Sequence, residues 1–173
     1  MSANDDDDWI RREIDWIGVA LREEKPYLGI CLGAQMLARH LGGRVAPHPH
    51  GEVEIGWYPI EPTAQGRDLP SWPGRVYHWH REGFEVPTGA RLLATGERFP
   101  HQAIAVGERA YGVQFHPEMT PAMMHRWTVH GAGRLESPGA QPRHRHFEGQ
   151  LRHGDRNRLW LDRFLDLWLA ERP

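Results

Sequence analysis

The stretch Lys25-Pro26-Tyr27-Leu28-Gly29-Ile30-Cys31-Leu32-Gly33-Ala34-Gln35-Met36-Leu37-Ala38-Arg39-His40-Leu41 puts an apolar run, a glycine-flanked cysteine and a helical pattern in direct succession. Tyr27 to Cys31 reads as a short buried strand. Gly33 to Leu41 reads as a helix closed by Gly42-Gly43. Upstream, Asn4 and the run Asp5 to Asp8 supply the caps and negative charge that a helix N-terminus prefers. Ile10, Ile14, Ile17 and Leu21 then recur at helical spacing, so residues 8–24 read as an amphipathic helix that Pro26 ends. Helix, strand and helix in this order predict an α/β layered architecture with a parallel sheet.

Downstream the chain is β-rich. Candidate strands are Arg44 to Ala46, Val53 to Ile60, Arg75 to Trp79, Arg91 to Thr95, Ala103 to Val106 and Ala110 to Gln114, with Gly and Pro between them. Thr120-Pro121 makes a cap and first-turn pair for a helix running toward His130. Residues 131–155 are rich in Gly, Pro, Arg and His with little periodicity and read as a long loop. Leu161, Phe164, Leu165, Trp168 and Leu169 mark a last amphipathic helix, over 156–173. With no internal repeat, residues 1–173 read as one domain, its motif-bearing core within 1–130.

The 173 residues suffice to bury a core, and 39% hydrophobic with 25% charged residues is ordinary for a globular chain. A net charge of -2 argues against nucleic acid or an acidic membrane surface as the main partner. No apolar run is long enough to span a bilayer. Met1 to Asp8 lacks the basic start and apolar stretch of a secretory signal, so a cytoplasmic location is expected. The single cysteine excludes an internal disulfide and is either a buried hydrophobe or a nucleophile.

Gly29-Ile30-Cys31-Leu32-Gly33 has the form Gly-x-nucleophile-x-Gly, the form of the nucleophile elbow. The elbow is a tight strand-to-helix turn in which residues two before and two after the nucleophile must lack bulk, because strand and helix approach closely. It places the sulfur at a helix N-terminus, which favours a thiolate, and aims the Leu32 N–H at an oxyanion. A cysteine nucleophile also needs a base, and the base a carboxylate that fixes its tautomer. His116 and Glu118, two apart in Gly112-Val113-Gln114-Phe115-His116-Pro117-Glu118, project to one side of an extended backbone, with Pro117 limiting their relative motion.

Together, Lys25 to Leu41 and Gly112 to Glu118 resemble the class I glutamine amidotransferases, and among them the stand-alone proteins similar to the amidotransferase domain of GMP synthase. The resemblance runs in order over about residues 1–130. It implies a three-layer, flavodoxin-like α/β fold with a mostly parallel central sheet. It implies hydrolysis of the glutamine side-chain amide through a thioester on Cys31, with His116 as base and Glu118 orienting it. Ammonia would pass to a synthetase or other acceptor protein in trans, and no cofactor is needed. Gln35 falls at the family's Cys-x-Gly-x-Gln glutamine, which helps hold the substrate. Tyr77 to Glu82 aligns with the Ser-His-Gly-Asp segment lining the substrate pocket. Trp79, Arg81 and Glu82 depart from that pattern, so only His80 is carried over as substrate-binding.

In the family, the segment matching Met1 to Asp5 follows a Gly-Gly-Pro turn, and the first strands and helix of the domain precede that turn. The expectation is that this chain lacks N-terminal strands, as a fragment or through a misassigned start, and with them a second oxyanion N–H. Loss of one such donor typically costs about 10²–10³ in rate. Two rivals follow: a γ-glutamyl hydrolase, with water as sole acceptor, and a truncated, non-catalytic remnant acting as a binding module. Among twelve histidines, His48/His50, His78/His80 and His144/His146 are spaced by two. With one cysteine and no His-Glu-x-x-His pattern, no metal site is expected. Trp9, Trp160 and Trp168 are expected to pack on helices, and Trp57 and Trp79 near the pocket. The run Arg143, Arg145, Arg152, Arg156 and Arg158 reads as a solvated surface.

Overall fold

The computed structural model describes residues 1–170. The elements are α1 (Asp8–Arg22), β1 (Tyr27–Ile30), α2 (Leu32–His40), β2 (Val45–Pro47), β3 (Glu54–Pro59), β4 (Glu61–Pro62), β5 (Arg75–His80), β6 (Glu82–Phe84), β7 (Arg91–Thr95), β8 (Ala103–Val106), β9 (Ala110–Val113), α3 (Pro121–His130) and α4 (Arg143–Leu169), with short 3₁₀ turns at Ala64–Gly66 and Ala132–Glu136.

A five-stranded sheet has the order β1-β9-β8-β7-β4. The β1–β9 pair is parallel, with Gly29 opposite Gly112, and the other pairs are antiparallel, so the sheet is mixed. Alternation along β8 and β9 divides the core. Ile104 faces Ile10, Ile17 and Leu37 of α1 and α2, whereas Ala103, Ala105, Tyr111 and Val113 face Trp160 and Phe164 of α4. Helices thus cover both faces, which makes three layers. Two smaller ribbons, β2–β6 and β3–β5, stand beside this sheet. His116 N–H donates to the Tyr77 carbonyl at 2.7 Å and fastens β5 to the segment after β9.

Helix α1 forms where its isoleucines recur, but Asp7 occupies the N-cap without a side-chain cap bond. Asn4 instead donates to the Val45 carbonyl and pairs with Arg39, anchoring the chain start to α2 and β2. Trp9 is 45% exposed, contrary to the expected packing, while Trp57 and Trp160 are buried. Thr120 caps α3 by accepting from the Met123 N–H at 3.2 Å.

The expected loop over 131–155 is corrected. Residues 132–136 form a 3₁₀ turn, and α4 begins at Arg143, well before 156; residues 171–173 of the expected helix lie outside the described residues. The helix is bound along its first half. Trp57 Nε1 donates to the His146 carbonyl at 2.9 Å, His146 Nδ1 meets the Tyr77 hydroxyl at 2.9 Å, and Asn157 Nδ2 donates to the Arg75 carbonyl at 2.8 Å. Its buried stripe is His146, Gly149, Gly154, Asn157, Trp160 and Phe164. The first four are not apolar, so a search for hydrophobic period passes over them. No helix among the described residues is long and apolar enough to cross a membrane.

Candidate active site

Cys31 lies between β1 and α2 with φ 49° and ψ -99°, a conformation that L-residues seldom adopt and that the surrounding chain must hold in place. Its N–H donates to the Val113 carbonyl at 2.8 Å, which continues the β1–β9 ladder up to the turn. A Cβ on Gly29 would fall 2.5 Å from the Gly33 carbonyl group, so strand and helix meet there backbone to backbone. A Cβ on Gly33 would meet the Tyr27 hydroxyl at 3.6 Å, an ordinary contact. Bulk is therefore excluded two residues before the cysteine but not two residues after it. Leu32 opens α2, in the first turn, whose N–H groups have no acceptor within the helix.

His116 faces Cys31, and its Nδ1 meets Glu118 Oε1 at 2.7 Å. The Trp127 ring packs edge-on against the imidazole, with centroids 4.8 Å apart. Burial by itself would lower the pKa of His116. Hydrogen bonds to Cys31 and Glu118, with the charges on both, outweigh it and raise the value to about 9. The second Glu118 oxygen is buried and has no partner among the described residues.

Cys31 opens on a cavity of about 190 Å³ lined also by Gln35, Trp79, His80, Arg81, Glu82, Arg134 and Ser137. The structure thus brings Cys31, Leu32, His116 and Glu118 together, and places Gln35 and His80 in the wall. Gln35 is held within that wall, since its Nε2 donates to the Glu82 carbonyl at 2.7 Å and to Gln114 Oε1 at 3.2 Å. His80 is turned inward. Its Nδ1–H donates to the same Glu82 carbonyl at 2.9 Å, and its Nε2 meets Glu54 Oε2 at 3.0 Å.

Sequence reasoning missed several residues of this region. Gln114 is fully buried and donates to Cys31 Sγ at 3.6 Å; its place in the Gly112–Glu118 motif was the one signal for it. Arg134 reaches the cavity from a segment read as loop. Glu54 and His78 join His80 in a buried cluster. Burial would raise the pKa of Glu54, but the facing imidazoles and the Gln102 amide bring it down to about 2. Complete burial lowers that of His78 to about 3, against the pull of Glu54.

The family model "Glutamine amidotransferase class-I" matches residues 4–128. A glutamine amidotransferase-like protein, YfeJ, of Salmonella typhimurium is 36% identical over 115 residues, 64% of this chain and 47% of the relative. One subunit of the glutamine-hydrolysing GMP synthase of Thermococcus kodakarensis is 37% identical over 118 residues, 62% of this chain and 55% of the relative. The chain thus spans about half the length of these relatives. The crystal structure of a glutamine amidotransferase from Thermotoga maritima superimposes with a TM-score of 0.87 and 31% identity, covering 99% of this chain and 75% of that one. A glutamine amidotransferase from Methylobacillus flagellatus gives 0.87 at 27% identity, covering 100% and 74%. The glycine-flanked turn at Cys31, motif order and superposition agree, and the chain belongs to the class I glutamine amidotransferase family, with its flavodoxin-like α/β fold.

Proposed function

We propose that this chain is a cytoplasmic glutamine amidotransferase that hydrolyses the side-chain amide of glutamine through a Cys31 thioester and releases ammonia to an acceptor protein in trans. The observation that carries this reading is the strained Cys31 turn facing His116, one nitrogen of which is held by Glu118 at 2.7 Å.

At rest the imidazolium of His116 lies beside the sulfur. The sulfur attacks the amide carbon, and the oxyanion forms at the first turn of α2, where the Leu32 N–H has no acceptor within the helix. His116 gives its proton to the departing nitrogen, and ammonia leaves. The neutral imidazole then draws a proton from water, whose oxygen attacks the thioester carbon and frees glutamate and the sulfur. Glu118 holds the ring in the tautomer that both steps need. Arg81, Arg134 and Glu82 line the cavity, and none of the three is in a side-chain ion pair among the described residues. They suit the carboxylate and ammonium of an amino acid. The acceptor in trans draws support from the Thermococcus kodakarensis relative, which is itself one subunit of its enzyme.

Intact-mass labelling by a glutamine-mimicking electrophile tests the reading. One adduct per chain is expected, absent in Cys31→Ala and blocked by free glutamine. A folded sample that takes no label would overturn it in favour of a non-catalytic binding module. Release of free glutamate from γ-glutamyl compounds other than glutamine, without ammonia, would instead identify a γ-glutamyl hydrolase.

A further inference from the structure

Strands β3 and β5 pair antiparallel with Glu54 directly opposite His80. His78 is two residues from His80 on the same strand, so all three side chains project from one face of the ribbon. The structure turns that face inward, and the three are buried with side-chain exposures of 2%, 0% and 2% for Glu54, His78 and His80.

Three atoms converge there. His80 Nε2 is 3.0 Å from Glu54 Oε2 and 3.1 Å from His78 Nδ1, and His78 Nδ1 is 3.5 Å from the same Oε2. A tetrahedral zinc ion with bonds of about 2.0–2.1 Å sets its ligands about 3.3–3.4 Å apart. The observed triangle comes close to one face of that tetrahedron. Such a site also needs its ligands oriented from behind. His80 Nδ1–H donates to the Glu82 carbonyl, and Gln102 Nε2 donates to Glu54 Oε2 at 2.9 Å.

Hydrogen bookkeeping points the same way. The Glu82 carbonyl can only accept, so His80 carries a hydrogen on Nδ1. In a neutral ring Nε2 is then a bare lone pair, facing a carboxylate oxygen and a second ring nitrogen. A neutral His80 therefore sets a lone pair against a carboxylate oxygen, a contact relieved either by a proton on Nε2 or by a metal ion at the meeting point. A proton on His80 Nε2 would be shared between Glu54 Oε2 and His78 Nδ1. A divalent ion satisfies all three converging atoms at once.

We propose that Glu54 Oε2, His78 Nδ1 and His80 Nε2 form a site for a divalent transition-metal ion of the zinc class, with water in the fourth position. Two imidazoles and one carboxylate are ligands that zinc accepts. The ion would clamp β3 to β5. Through the Glu82 carbonyl, which also receives the Gln35 amide, it would set the wall of the Cys31 cavity. Paired histidines two apart are common. The carboxylate that completes this pair lies 26 residues from His80 in the chain and reaches it only through the ribbon.

The test uses the full chain carrying Cys31→Ala, so that the thiol cannot act as a ligand, after chelator treatment and dialysis. Cobalt(II) is titrated in and its visible d–d absorption followed. One equivalent should give the intense bands of a four-coordinate ion, zinc should displace it, and zinc should raise the melting temperature. Glu54→Gln and His78→Gln should each weaken cobalt binding by at least about 10–100-fold, the loss typical of removing even a supporting partner. The proposal fails if no stoichiometric four-coordinate spectrum appears. It also fails if binding is unchanged in both variants, which would assign the ion to exposed histidines. Should the variants not fold, the titration of the Cys31→Ala chain decides alone.

Discussion

His116 is held between a sulfur and a carboxylate, and its protonation follows from both. Its pKa is raised from 6.5 to about 9, so its contribution to stability is fully present below about pH 6.5 and is lost as pH rises through about 9. The stability gap between the native chain and His116→Gln should therefore shrink between neutral pH and pH 10, as read by melting curves. Cys31→Ala removes one of the two groups that hold the charge, and the imidazole inflection followed by NMR should move down. The glycines that flank Cys31 make a sharper comparison. Gly29→Ala forces a Cβ against the Gly33 backbone and should cost about 1–3 kcal/mol together with loss of labelling at Cys31. Gly33→Ala, inside α2, meets only an ordinary contact with the Tyr27 hydroxyl and should be neutral or stabilising by up to about 1 kcal/mol in chemical denaturation.

At the scale of elements, α4 is the informative case. Gly149 packs against the Trp57 indole, and a Cβ there would overlap the ring. Gly149→Ala should thus destabilise the chain by about 1–3 kcal/mol despite alanine's better helix propensity. Gly154→Ala displaces only the end of the Gln150 side chain and should be tolerated. Unfolding by urea separates the two outcomes. Amide exchange should also protect residues 143–155, which a loop would not show.

For the whole molecule, the sheet is stable because helices cover both faces. Phe164 is 2% exposed, stacks on Trp160 with centroids 5.2 Å apart, and meets Tyr111 edge-on at 5.1 Å. Phe164→Ala should cost about 3–5 kcal/mol, measured by denaturant unfolding, because it opens the interface between α4 and the sheet. Labelling of Cys31 should survive in the folded fraction, since that interface lies on the face of the sheet opposite α2.

The local elements were written in the chain. Strand and helix around Cys31 follow from an apolar run, a flanking glycine and helical period, and β7 and β8 appear where apolar runs bounded by Gly and Pro predict them. Cys31 and His116 were legible as candidates for the same reason: each sits in a short motif whose geometry is local. Other features came from contacts between distant segments. The first half of α4 is helical because Trp57, Tyr77 and Arg75 bind a stripe that is largely not apolar. His80 reads from the sequence as a pocket residue, but ribbon pairing turns it toward Glu54, and Gln114 reaches the sulfur only because β9 lies beside β1. The sequence by itself determined what depends on neighbours a few residues apart, namely the elements, the strained turn and the residue types of the site. Only the tertiary structure decided which buried polar groups meet, because hydrogen bonds between distant strands leave no periodic trace in the chain.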